Sequence, residues 1–333
     1  MEKRDLSIDF LRATAIFLMV ITHVNALLYS GNIFVVDIFT TAGVTLCFSI
    51  FLFCSAYIHG LKIQKEKSFD LRKTVKRVLE IYLVYVICAV FVSLVLQKGI
   101  SINEVLNIAF LNYVPEFTEF LIAFIVFSFI PLIFSKQIKI LLEKPFILIA
   151  LSLIIYFIAL FIYTRISKYP FPDPIRIVLE NMFGYRNQHR FPLFPYLPIY
   201  TFGLLLSKYN KNKILLKTLL ISTLIFLILY IFKISHWYRW PPSPLFLMYG
   251  FIYILGVLLI YRKYKGILSK GIFKLFTRVG RYPLEQFAFS TLLVFTAKAF
   301  IKPTGNEFIS IFVNLVILST LLLYPIVSHR KMV

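Results

Sequence analysis

The sequence is poor in charged residues, and acidic ones are the scarcest. Charged residues make up 15% of the 333 positions and hydrophobic residues 59%, whereas an average soluble domain is about 25% charged and about 45–50% apolar. The mean hydropathy of +0.83 points the same way. This composition excludes an ordinary soluble domain and predicts an integral membrane protein of the all-α class.

Cysteine is also rare, with three residues in the whole chain. Cys47, Cys54 and Cys88 all lie inside apolar runs, and their spacing matches neither a disulfide framework nor a metal site. We interpret them as small buried hydrophobic residues. We therefore expect no metal ligands and no bound cofactor.

The excess of basic residues gives a formal net charge of +21, which at first suggests a nucleic-acid-binding protein. However, the Lys and Arg residues stand in short clusters between apolar runs. That distribution is how membrane proteins encode the orientation of their helices. We therefore expect the lipid bilayer, and no nucleic acid, as a partner.

Apolar runs of about 20 residues, the length that crosses a bilayer, predict about ten transmembrane helices in one domain over residues 1–333. The segment 102–114 is too short and polar to span, so we interpret it as re-entrant or interfacial. The ten predicted spans are 10–30, 38–60, 77–97, 117–135, 146–164, 191–206, 214–232, 244–261, 284–301 and 308–327.

The basic residues predict the orientation of these spans. With the N-terminus inside, 25 Lys and Arg residues fall in cytoplasmic segments and 9 in outside segments. Because cytoplasmic loops carry the excess of positive charge, we expect both termini to be cytoplasmic. The protein would then be a multi-pass protein of the cell (cytoplasmic) membrane. The longest outside segment, 165–190, is a lid, an acceptor-binding surface or a solvated connector.

The first span, DFLRATAIFLMVITHV, carries Asp9, Arg12 and His23. At 100° per residue these side chains share one helix face, and Arg12 and His23 are about 16 Å apart along the axis. An ionisable residue within a membrane span is a functional candidate by default, and an imidazole suits a general base. The alternative is structural: Asp9 and Arg12 form an ion pair at the cytoplasmic end, with Arg12 reaching toward the interface.

The start of the chain, RDLSIDFLRATAIFLMVITH, resembles that of the membrane-bound acyltransferase 3 family. That family begins with a short polar lead, then Asp-x-x-Arg, ten residues and His, which correspond here to Asp9, Arg12 and His23. The resemblance implies that His23 is the catalytic base. It also implies that Arg12, with Asp9, belongs to the path of the acyl donor.

Later segments resemble the same family with substitutions. FLFCSAYIHG resembles its Phe-x-x-Ser-Gly-Tyr segment, with Ala56 in place of Gly, and LPIYTFGLLLSKY resembles its Phe-x-x-Gly span. VGRYPLEQFAFST resembles its late Gly-x-x-Ser segment, in which Pro283, Phe287 and Ser290 replace Ser, Tyr and His. The resemblance therefore covers most of the chain.

Members of this family move an acyl group, often acetyl, from cytoplasmic acyl-CoA to a hydroxyl of an outer carbohydrate. The resemblance thus implies acyl-CoA as donor and a carbohydrate or glycolipid as acceptor. Arg72, Lys73 and Arg77, in a segment similar to the family's Arg-rich one, would hold the donor's phosphates. Alternatively, these cations only set the topology and attract anionic lipid.

A histidine base usually has an orienting partner. Asp37, Glu116 and Glu119 are candidates in the outer half, and we favour Glu119 because it is an acid at the head of an apolar span. Its alternative role is an interfacial carboxylate facing water. For the whole protein, the hypotheses that compete with the enzyme are an exporter or flippase of a polysaccharide or lipid-linked sugar, and a structural subunit of a polymer-synthesis complex.

Overall fold

The computed structural model describes residues 4–31, 34–65, 70–185 and 190–328. These residues form helices joined by turns and loops, with no strand among them. The all-α prediction is confirmed. In chain order the helices are α1 (Leu6–Leu28), α2 (Phe34–Gln64), α3 (Leu71–Gln97), α4 (Ile102–Ala109), α5 (Glu119–Leu142), α6 (Pro145–Ile166), α7 (Asp173–Met182), α8 (Leu197–Lys208), α9 (Asn212–Ile231), α10 (Pro244–Lys263), α11 (Lys265–Leu268), α12 (Gly271–Val279), α13 (Pro283–Phe300) and α14 (Glu307–Ser328).

Eight helices of the described chain are long and apolar enough to cross a membrane: α1, α2, α3, α5, α6, α9, α10 and α14. The other two predicted spans also coincide with helices. However, α8 has only 12 residues, and α13 carries Glu285, Gln286 and Lys298 within its 18. The protein is a multi-pass membrane protein, and the count of ten spans stays a prediction. The segment that we predicted not to span contains the short helix α4.

The chain forms two compact units, each built from separate stretches of sequence. Unit 1 comprises Met1–Phe51, Phe91–Gly99 and Tyr253–Val333, and unit 2 comprises Leu52–Val90 and Ile100–Ile252. Three of the helices, α2, α3 and α10, contribute residues to both units. The single domain over 1–333 stays a prediction.

In unit 1, α1 packs against α12, α13 and α14. Helices α1 and α13 run parallel, since Gly280 lies against Asp9 at their beginnings and Lys298 donates to the Leu27 carbonyl at their ends. Helix α14 runs antiparallel, because Ser310 in its first turns contacts Asn25 near the end of α1. Successive spans that cross a membrane in alternate directions give this pattern.

In unit 2, α6 packs against α8, and α5 contacts α6, α7 and α8. Pro131 lies inside α5, and Phe134, one turn later, leaves helical geometry at φ −113°. Because proline removes a backbone donor and its ring crowds the preceding turn, this pair marks a kink in α5.

The helices differ in how much of their surface the protein covers. In α9 only 11% of the apolar window is buried, and large side chains such as Leu220 and Ile228 are exposed. In α1 the buried share is 67%. An apolar face this exposed is suited to lipid, whereas a buried helix carries its polar groups among protein neighbours. The ionisable residues of α1 therefore do not have to face lipid.

Candidate active site

The site begins where the polar lead turns into α1. Asp5 caps the helix by accepting a hydrogen bond from the Ser7 amide at 3.0 Å. One turn later the carboxylate of Asp9 is buried, with 2% of its side chain exposed. Arg4 donates to both of its oxygens, through Nε at 2.6 Å and Nη2 at 2.8 Å. These hydrogen bonds raise the pKa of Arg4, which stays charged.

Two more arginines approach the same carboxylate. Nη1 of Arg12 lies 4.0 Å from Oδ1 of Asp9, and Nε of Arg281 lies 3.9 Å from Oδ2. Three guanidinium groups thus lie within 4.0 Å of one carboxylate. Such a cluster is suited to binding an anion, because guanidinium groups match phosphate and carboxylate oxygens. The sequence indicated the pair of Asp9 and Arg12 but not the contributions of Arg4 and Arg281.

Arg281 reaches Asp9 because Gly280 brings its segment against α1. A Cβ atom at Gly280 would stand 1.8 Å from the carbonyl oxygen of Asp9 and 2.8 Å from the amide nitrogen of Ala13. Only glycine permits this approach, since other residues carry that atom. The backbone contact itself therefore fixes one wall of the arginine cluster.

His23 lies in the last third of the same continuous helix and is partly exposed. Its neighbours tie α1 to two other helices. The Thr22 hydroxyl lies 3.3 Å from the Thr40 carbonyl oxygen, and Asn25 donates to the Thr40 hydroxyl at 3.1 Å. From α14, the Ser310 hydroxyl and the amide of Asn314 donate to Oδ1 of Asn25. The backbone around His23 is therefore held from both sides.

The predicted basic rim lies at the beginning of α3, in unit 2. Arg72, Lys73 and Arg77 are all exposed. The amide of Arg72 donates to Asp70, and Nη1 of Arg77 lies 3.0 Å from Oε2 of Glu80. Exposed cations at a helix terminus suit both predicted roles, donor binding and attraction to anionic lipid. The assignment to the donor stays a prediction.

Glu119 is the first residue of α5 and also belongs to unit 2. Its Oε2 atom is buried and has no hydrogen-bond partner among the described residues. This geometry differs from the water-facing carboxylate that was the alternative for this residue. A buried carboxylate oxygen with spare capacity is able to accept a proton or a hydrogen bond.

A second buried charge cluster, not predicted from sequence, lies in unit 2. Glu180 of α7 is fully buried, and Nε of Arg190 lies 2.9 Å from its Oε2, with Nη1 of Arg176 3.6 Å from its Oε1. Both arginines also donate to backbone carbonyls in the loop between α4 and α5, Arg190 to that of Leu111 and Arg176 to that of Asn112. Burial lowers the pKa of Arg190, and the charge of Glu180 opposes that shift. Ion pairs thus pack α7 within the described part of segment 165–190, and the role of the segment stays a prediction.

Comparison with known proteins gives a match at the level of the family. The acyltransferase 3 family model, described as an acyltransferase domain, matches residues 5–328. The chain belongs to the acyltransferase 3 family. It is a membrane acyltransferase. Searches of curated proteins and of solved structures returned no significant match.

The family segments quoted from the sequence include close helix contacts. In unit 2, a Cβ atom at Gly203 would stand 2.5 Å from the Phe53 carbonyl oxygen and 2.7 Å from Cβ of Ala56. The second and sixth predicted spans therefore meet at the two segments that resemble the family. In unit 1, Ser290, which stands where the family has His, is buried and donates to the Phe287 carbonyl at 2.9 Å.

The structure thus brings together some of the predicted site residues. Asp9 and Arg12 lie in one cluster, and His23 follows on the same helix of unit 1. Glu119 and the rim of Arg72, Lys73 and Arg77 belong to unit 2. Within the described ranges, no group of three or more His, Cys, Asp or Glu side chains is arranged to hold a metal ion.

Proposed function

We propose that this acyltransferase moves an acyl group, in the simplest case acetyl, from cytoplasmic acyl-CoA to a carbohydrate hydroxyl. The acceptor would be an extracytoplasmic glycan or a lipid-linked sugar. The protein would act in the cell (cytoplasmic) membrane with both termini inside. The acyltransferase family favours this enzyme over an exporter or flippase and over a structural subunit.

The proposal rests chiefly on the layout of α1. One uninterrupted, mostly buried helix carries the arginine cluster at its beginning and His23 near its end. The separation of Arg12 and His23 along the axis is about 16 Å. This layout suits an elongated donor whose phosphates bind at one end and whose thioester is used at the other.

In the reaction, the imidazole of His23 takes the proton of the acceptor hydroxyl as its oxygen attacks the thioester carbon. A C–O bond forms, the C–S bond breaks, and the leaving thiolate of CoA takes up the proton. Arg12, held beside Asp9, binds the phosphate end of the donor. Arg72, Lys73 and Arg77, which the resemblance assigns to the donor, are exposed and able to form charge-assisted hydrogen bonds with phosphate.

Glu119, which the sequence favours as the acid that orients His23, is proposed as the second catalytic residue. Its buried Oε2 has unused hydrogen-bonding capacity, as expected of a group that completes its contacts in the working enzyme. A carboxylate in this role fixes the tautomer of the imidazole and stabilises its protonated form.

The decisive experiment follows acyl transfer in membranes that contain the full chain. With radiolabelled acetyl-CoA and the glycan fraction of the cell surface as acceptor, His23→Ala should lower transfer at least 100-fold, with unchanged protein level. His236→Ala removes an exposed histidine and should leave the rate unaltered. Transfer at the normal rate in His23→Ala would reject His23 as the base.

The same assay tests the carboxylate. Glu119→Gln should reduce the rate about 10- to 100-fold, whereas Glu116→Gln, an exposed neighbour, should have little effect. Equal effects of the two substitutions would contradict the orienting role of Glu119.

A further inference from the structure

Gln286 of α13 is a buried side-chain amide. None of its side chain is exposed, and neither Oε1 nor Nε2 has a hydrogen-bond partner among the residues that the structure describes. Buried polar side chains are nearly always hydrogen-bonded, and each exception calls for an explanation. A buried amide without a hydrogen-bond partner lowers the stability of the folded protein, because its hydrogen bonds to water are lost and not replaced.

The height of Gln286 along α1 follows from the parallel packing of α13 on that helix. Position 280 lies against Asp9, and Lys298 donates to the carbonyl of Leu27, which is 271 residues earlier in the chain. The contact of Gly280 with Asp9 also joins residues 271 apart in the chain. Applied to Gln286, this offset puts it at about the height of Ala15 on α1. At 1.5 Å per residue this is about 4.5 Å beyond Arg12 and about 12 Å before His23.

Gln286 lies on the buried side of α13. The buried residues of this helix form one stripe, which begins with Gln286 and Phe287 and continues with Ser290 one turn later. The Ser290 hydroxyl already donates to the carbonyl of Phe287. Between the levels of Arg12 and His23, two polar side chains of this stripe have no hydrogen-bond partner among the described residues, the amide of Gln286 and the hydroxyl of Thr291. The amide of Gln286 lies nearer to Arg12 and combines two donors with an acceptor.

We propose that Gln286 binds an amide of the pantetheine arm of acyl-CoA. This inference rests on the proposed function, in which the donor's phosphates bind near Arg12 and its thioester reaches His23. The arm carries two secondary amides between those ends, and each offers one N–H donor and one carbonyl acceptor. The primary amide of glutamine supplies the complementary pair, two donors and an acceptor. Gln286 is therefore a donor-binding residue, which sets the position of the thioester without touching the reacting atoms.

The test measures binding to the purified full-length protein in lipid nanodiscs with two probes. Acetyl-CoA contains the arm, whereas adenosine 3′,5′-bisphosphate carries phosphates without it. Gln286→Leu should weaken acetyl-CoA binding about tenfold and leave binding of the bisphosphate unchanged. Thermal stability should be equal or higher, because an apolar group replaces an unpaired amide.

Ser152→Ala provides the matched control. Ser152 is also buried, and its hydroxyl has no hydrogen-bond partner in the described part of the chain, but it lies on α6 in unit 2. Its replacement should change neither affinity. Gln286→Met, with a more adaptable side chain, repeats the test in case leucine does not pack.

The outcomes separate this inference from the proposed function. If the unaltered protein binds neither probe, the role of acyl-CoA as donor fails. If it binds acetyl-CoA and both Gln286 variants bind it equally well, the contact with the arm is refuted while the proposed function stands. If both variants weaken the binding of the two probes to the same extent, the substitutions disturb the fold as a whole. The contact with the arm is then likewise refuted.

Discussion

At the scale of single residues, two buried carboxylates of this protein lie among arginines. Asp9 is surrounded by three arginines, and Glu180 by Arg176 and Arg190. The sequence indicated Asp9 with Arg12, because residues three apart on a helix are neighbours. It did not indicate Arg281 with Asp9, since that contact joins residues far apart in the chain.

The cluster around Glu180 makes a prediction about stability. Glu180→Gln leaves the buried Arg190 and the partly exposed Arg176 without their carboxylate and should destabilise the protein by about 3–5 kcal/mol. The exposed pair of Arg77 and Glu80 is the control, and Glu80→Gln should cost about 0.3–0.5 kcal/mol. Thermal unfolding in detergent measures both. A loss for Glu180→Gln no larger than that for Glu80→Gln would contradict the buried ion-pair cluster.

At the scale of helices, the sequence predicted where most helices lie but not which of them touch. Apolar runs of sufficient length indicated α1, α2, α3, α5, α6, α9, α10 and α14, because span length follows from bilayer thickness. Contacts such as Gly280 with Asp9 and Gly203 with Ala56 depend on the absence of a side chain at one position of a segment and on the neighbour that packs there. The pattern of hydrophobic residues does not indicate which positions of two helices come into such close contact.

Gly280→Ala tests the contact between α1 and the segment that follows α12. The added methyl would meet a backbone carbonyl, which is unable to rotate away, so we expect a loss of about 1–3 kcal/mol in stability and weaker binding of acetyl-CoA near Arg12. A Cβ atom added at Gly256 of α10 would have no neighbouring atom within 4 Å. Gly256→Ala should therefore be neutral or stabilise by up to about 1 kcal/mol.

Both variants are compared by thermal unfolding in the same detergent and by acetyl-CoA titration. Similar behaviour of Gly280→Ala and Gly256→Ala would mean that the close approach at Asp9 does not limit the packing of α1.

At the scale of the whole molecule, the distribution of Lys and Arg sets the predicted orientation. The parallel packing of α13 and the antiparallel packing of α14 on α1 have the relative directions that the first, ninth and tenth spans require. Cysteine labelling in intact cells tests which side of the membrane holds the termini.

The three native cysteines are buried, so an introduced cysteine reports its own location. Lys168→Cys, at an exposed position of the predicted outside segment, should react with a membrane-impermeant maleimide in intact cells. Lys274→Cys, exposed on α12, should react only after the membrane is permeabilised. The reverse pattern would invert the predicted topology.

The sequence by itself determined the class of the protein, most of its membrane helices and the order of Asp9, Arg12 and His23 along one of them. These features depend on composition and on the regular geometry of a helix, which are local properties. The tertiary structure decided that Arg281 joins the cluster at Asp9, that Asn25 ties α1 to two neighbours, and that the amide of Gln286 is buried. Such pairings depend on how distant segments pack, because burial and close contact are set by neighbours in space and not by neighbours in the chain.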